Sequence, residues 1–184
     1  MFLPRSSVPD GATGIAPDSG LTLVELMIAL AIASILLGLA LPSMRAFVIQ
    51  NRLAADISQL VAALTLARSE AIQRGRAVLV CRSMDADSAD ALCSAAATAT
   101  RAGGDWGAGW LVLVADSRQI LSRQGALDEN VQADAGRTTI TYNSGGNASS
   151  SFTNLVISHN GEFARRICIA NTGRINLKPD ASEC

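Results

Sequence analysis

From Leu26 to Leu41 the chain places one polar side chain, Ser34, in an otherwise apolar run that Pro42 ends. With the residues ahead of Glu25 the run reaches the roughly 20 residues that cross a bilayer. Beyond Pro42 the pattern changes. Apolar side chains recur at Leu53, Ile57, Leu60, Leu64, Ala67 and Ala71, a 4-3-4-3-4 spacing that makes one stripe of an amphipathic helix. Arg52, Asp56, Ser69 and Arg74 fall off that stripe. One long helix is predicted from residue 22 to residue 74, with a bend expected near Pro42 and Gly75 as its C-cap.

Past Gly75 the period drops to two. Strands are predicted over 77–81, 110–114, 118–122, 138–142, 152–158, 163–170 and 174–177. Asn160-Gly161 and Asn171-Thr172-Gly173 are turn signals, so the last three strands are expected to form consecutive hairpins. Residues 83–109, rich in Ala, Ser, Asp and Gly, read as a loop. Trp106 and Trp110 are expected to anchor a core beneath it rather than to form a ligand platform. The fold class that follows is α+β: a long N-terminal helix packed against an antiparallel β-sheet domain.

A single carboxylate at the head of the apolar run needs an explanation. A charge at bilayer depth costs at least about 2.5–3.5 kcal/mol, so Glu25 is expected to have a partner. Gly20 followed by Leu-Thr-Leu-Val-Glu-Leu-Met resembles the processing site of type IV pilins and type II secretion pseudopilins. The resemblance implies that a prepilin peptidase cuts between Gly20 and Leu21, methylates the new N-terminus and leaves Glu25 fifth in the mature chain. Buried in a filament, Glu25 would then pair with a neighbouring subunit's N-terminal ammonium. The other reading is an ordinary signal peptide cut after Gly38-Leu39-Ala40, but a clustered positive n-region is missing and an acid stands beside the apolar core.

The domains expected are a leader over 1–20, disordered and removed, a transmembrane and filament-core helix over 21–42, its amphipathic continuation over 43–75, and a globular β-rich domain over 76–184. The strand and cysteine loop, Trp106-Gly107-Ala108-Gly109-Trp110 with Asp116 downstream, and Thr172-Gly173-Arg174 resemble the GspH/FimT/FimU branch of minor pilins. That branch implies a structural protein, not an enzyme. Its partners would be the prepilin peptidase, other pilin or pseudopilin subunits and the inner membrane, crossed once with the C-terminal domain in the periplasm and later in a filament or filament tip. A type II secretion pseudopilin is the alternative within the family. A membrane-anchored periplasmic binding module that never polymerises is the alternative outside it.

Cys81, Cys93, Cys168 and Cys184 all follow the apolar run and allow three connectivities. The pairs close in sequence, Cys81 with Cys93 and Cys168 with Cys184, are expected as disulfides, which an oxidising periplasm favours. A zinc site is the rival, but Cys-x-x-Cys is absent and His159 is the only histidine. Asp85, Asp87 and Asp90 hint at calcium, yet Ala89 and Asp90 stand where an EF-hand needs a ligand and a glycine. No cofactor and no metal are expected. Asn147-Ala148-Ser149 matches a glycosylation sequon that carries little weight here.

Formal net charge is −1, so nothing global points to nucleic acid. A local feature does. Some FimT-type minor pilins bind DNA through a C-terminal Gly-Arg-x-Arg motif, and this chain has Gly173-Arg174-Ile175-Asn176, with asparagine in place of the second arginine. The resemblance makes Arg174 the candidate for double-stranded DNA, with Arg165, Arg166 and Lys178 as helpers. Because side chains alternate along a strand, at most one of Arg165 and Arg166 can share a face with Arg174.

Overall fold

The structure, a computed structural model, describes residues 20, 22–149 and 153–184, with the side chains of 39–43 outside the description. Apart from Gly20, the expected leader lies outside the described residues, as do Leu21 and Phe152. The chain divides into two units, one ending at Met44 and one spanning Arg45–Cys184.

Helix α1 spans Leu23–Arg74. Thr22 caps it: Glu25 N donates to Thr22 Oγ1 at 3.2 Å, and Thr22 N and Oγ1 both donate to Glu25 Oε2 at 2.9 Å. Two orphan amides are thereby satisfied reciprocally, as in a capping box. At the other end Arg76 N donates to Ala71 O and Gly75 N to Ile72 O, with Gly75 at φ 63°. This is a Schellman motif, and it confirms the expected cap. In the first unit the apolar side chains lie open, from Leu23 at 74% exposure to Leu37 at 63%. Among the described residues no helix is long and apolar enough to cross a membrane; the expected run to Leu41 and the bend at Pro42 enter positions 39–43, whose side chains are outside the description.

The second unit holds two four-stranded antiparallel sheets. The first has the order β3-β2-β1-β5, from β1 (Val78–Arg82), β2 (Trp110–Val114), β3 (Ile120–Gln124) and β5 (Thr139–Tyr142). The second has the order β4-β6-β7-β8, from β4 (Val131–Asp134), β6 (Thr153–His159), β7 (Glu162–Ile169) and β8 (Ile175–Lys178). The expected helix stripe, Leu53 to Ala71, is buried with inward positions of both sheets, among them Val80, Val112, Ile140, Leu155 and Ile167. Trp106 and Trp110 join that core, as expected.

Both expected hairpins form. Asn160 and Gly161, at φ 49° and 77°, make a two-residue turn between His159 and Glu162. Residues 171–173 close the next, where Ala170 N donates to Arg174 O and Gly173 takes φ 75°. Two expectations need correction. The third strand is Ile120–Gln124 rather than 118–122, because Arg118 sits in the preceding turn at φ 54°. The loop over 83–109 is not wholly irregular: it contains a 3₁₀ turn, Trp106–Ala108, capped by the Asp105 side chain.

Both local disulfides are present, Cys81–Cys93 with Cα atoms 5.6 Å apart and Cys168–Cys184 with Cα atoms 5.7 Å apart. Each fastens a segment over the outer face of a sheet.

Candidate assembly and nucleic-acid surfaces

Glu25 lies at the exposed head of α1, and both bonds it accepts from Thr22 end on Oε2. Its position is therefore set by its own helix. The Thr22-x-x-Glu25 spacing was a readable capping signal that the pilin-like motif overshadowed.

The C-terminal cations divide by strand alternation. Arg166 pairs with Lys178 and Cys168 with Asn176 across β7 and β8, which puts all four on the outer face of the second sheet. Arg174, Asn176 and Lys178 line a cleft of about 290 Å³ with Cys168, Ala170 and Cys184. Arg165 falls on the other side: it stands opposite buried Ile157 and in phase with buried Ile167 and Ile169. It does not join the other three. Arg166 is also committed, donating from Nε and Nη2 to Ala181 O at 3.1 and 2.8 Å.

Gly173, next to Arg174, is buried by a close approach to the Gly146 backbone of the β5–β6 loop, with the Arg68 side chain beside it. Arg68 of α1 donates from Nε to Gly146 O at 3.1 Å and from Nη2 to Thr172 O at 3.0 Å. One helical arginine thus ties the β5–β6 loop and the β7–β8 turn together.

A buried ionic network escaped the sequence reading. Arg82 is 0% exposed and donates only to backbone carbonyls: Nε to Asp105 O at 2.7 Å, Nη1 to Ser94 O and Ala96 O at 2.9 and 2.8 Å, and Nη2 to Ala102 O at 3.4 Å. Burial pushes its guanidinium pKa down, the Asp105 charge pulls it back up and the Arg101 charge adds to the fall. Arg101 Nη1 meets Asp105 Oδ2 at 2.9 Å and also donates to Val131 O, while Asp105 Oδ1 accepts from Gly107 N and Ala133 N at 2.8 Å each. The available signal was phase. Arg82 continues the inward positions Val78 and Val80, where a charged side chain must find partners. The network organises the cysteine loop. Asp85 is likewise used within that loop, accepting from Ser83 Oγ at 3.0 Å.

The model of the family described as type II transport protein GspH matches residues 56–173. This chain belongs to the GspH family. The prokaryotic N-terminal methylation motif matches residues 16–41, so a methylation motif precedes the GspH domain. Two crystal structures of the type IV minor pilin FimU from Pseudomonas aeruginosa strain PAO1 share the fold. One, in space group P21, is 23% identical with a TM-score of 0.57, over 74% of this chain and 95% of that one. The other, in space group P65, is also 23% identical with a TM-score of 0.52, over 68% and 91%. Among curated proteins none matches significantly. The GspH match covers the second half of the helix and both sheets short of β8, and the methylation motif is matched separately ahead of it.

Proposed function

We propose that the protein is a minor pilin of a type IV pilus, processed by a prepilin peptidase after Gly20 and held in the inner membrane by residues 21–42 until it enters a filament. The carrying observation is the helix from Leu23 to Leu37: apolar side chains on every side, all exposed, with one capped carboxylate at its head. A helix apolar all round needs an apolar surrounding, either lipid or other such helices. The two disulfides fit a domain placed in the oxidising periplasm. In the filament, Glu25 receives a neighbour's N-terminal ammonium.

The test is Glu25→Ala. Removing one member of a buried ion pair typically costs about 3–5 kcal/mol. Cleavage should proceed nearly as in wild type, while the amount recovered in sheared filaments should fall more than tenfold. Normal incorporation of the variant would sink the pairing. Absence of wild-type protein from filaments would favour the non-polymerising anchored module instead. The family's character as a type II transport protein favours one further reading, a pseudopilin of a type II secretion system. Recovery with secretion filaments rather than pili would select it.

DNA uptake is the finer part of the proposal. Arg166, Arg174 and Lys178 share one outer face and supply three cations, a small set for a phosphate backbone. Weak, sequence-independent and salt-sensitive binding of duplex DNA is the activity that suits it.

A further inference from the structure

The tail that follows β8 folds back along the outer face that carries these cations and is tied to it at Arg166 and Cys168, leaving Arg174 exposed. Cys184 ties it through the disulfide to Cys168 in β7. Ala181 O accepts from two nitrogens of Arg166, at 3.1 and 2.8 Å. Residues 179–184 are all exposed, so these ties hold the segment in place rather than buried apolar area. The segment so tied contains two acids, Asp180 and Glu183, and the face it is tied to carries Arg166, Arg174 and Lys178.

We propose that Pro179–Cys184 is an autoinhibitory strap, and that opening the Cys168–Cys184 disulfide releases it and strengthens binding of duplex DNA. The proposal rests on the DNA-binding reading above and adds its regulation. Released, the strap would take its two carboxylates away from the cations and return both Arg166 nitrogens to solvent. Asp180 Oδ1 accepts from Ser182 N at 3.2 Å, and its carboxyl is held below the usual range, first by the Ser182 hydroxyl and amide and last by Lys178, two positions away. Opening is a thiol–disulfide exchange with a dithiol. Its thiolate attacks Sγ of Cys184, the S–S bond breaks, Cys168 leaves as thiolate and takes a proton, and the second thiol resolves the mixed disulfide. The protein gains two electrons and two protons, and the dithiol becomes a disulfide.

The full chain in detergent micelles can be titrated with a short random-sequence duplex over a range of salt. Cys168→Ser/Cys184→Ser frees the strap and leaves Cys81–Cys93 intact. Asp180→Asn/Glu183→Gln keeps both disulfides and removes only charge, so it stands in if the serine variant misfolds. Both should bind roughly three- to tenfold tighter than wild type, and the serine variant should show a salt slope steeper by about one, for the phosphate that Arg166 can now meet. Adding Arg174→Gln should abolish the gain. Wild-type affinity in the folded serine variant would overturn the strap while leaving DNA binding intact. No binding by any form at low salt, or binding indifferent to Arg174→Gln, would bring down the DNA reading itself, and the strap with it.

Discussion

The two sheets of the domain are each covered on their outer face by a segment that a disulfide fastens, and the covers differ in kind. Over the first sheet, the loop after β1 brings Ala86 and Ala91 onto Leu111 and Leu113, and Arg82 reaches into the loop to hold four of its carbonyls. Over the second sheet, six exposed residues rest on an arginine and a disulfide. The first cover belongs to the core and the second lies on the surface. Similar disulfides thus serve different ends, and what separates them is the apolar area and buried charge beneath.

The largest effect should come from the inward-facing cation that holds the loop of the first cover. Arg82→Met removes the charged donors of the Ser94, Ala96 and Asp105 carbonyls, the last of them buried, and should destabilise the domain by about 3–5 kcal/mol. Denaturation followed through the fluorescence of buried Trp106 and Trp110 will measure it. Arg82→Lys should recover little, since an ammonium cannot span the same fork of carbonyls. A variant as stable as wild type would show that the loop holds itself.

Next comes the contrast between the bridges. Cys81→Ser/Cys93→Ser should cost about 3 kcal/mol, the chain-entropy value for a loop of this size, because the folded loop stays ordered without the link. Cys168→Ser/Cys184→Ser should cost about 1 kcal/mol or less, because an unlinked strap gains freedom in the folded state as well as the unfolded one. Equal losses would erase the distinction between the covers.

The smallest effect lies outside both covers. Burial, then the Asp128 charge, push the Asp56 carboxyl up. A carboxylate raised on folding favours the folded state below its unfolded pKa, and that contribution is lost as pH rises through the folded value. Asp56→Asn should therefore stabilise by a few tenths of a kcal/mol at neutral pH and by nothing in acid. The same denaturation series at two pH values checks it, and a gain that persists in acid would mean packing rather than charge.

Most of this architecture was legible where side chains alternate strongly or turns carry their own chemistry. Val78 to Val80, Trp110 to Val114 and the two hairpins around Asn160-Gly161 and Gly173 announced themselves. β4 did not, because Val131-Gln132-Ala133-Asp134 is short and one of its inward residues is only an alanine. The Arg82–Asp105–Arg101 network was hidden for a different reason. Its partners are backbone carbonyls and amides contributed by segments far apart in sequence, and composition records none of them. Among the candidate site residues, alternation foretold that Arg165 and Arg166 would part, but which one would face Arg174 depended on the phase set by buried Ile167 and Ile169.

Gly173 sits at φ 75°, and a Cβ there would come within 2.0 Å of the Gly146 carbonyl oxygen and 3.0 Å of Arg68 Nε. Any larger residue must push the turn off the β5–β6 loop. In related chains, then, the glycine of a Gly-Arg pair at this turn carries information about architecture, and only the arginine can carry information about a ligand. A search that scores the two letters alike will count the packing of one turn on another as evidence of binding. Comparing how often the arginine varies while the glycine stays would separate the two messages.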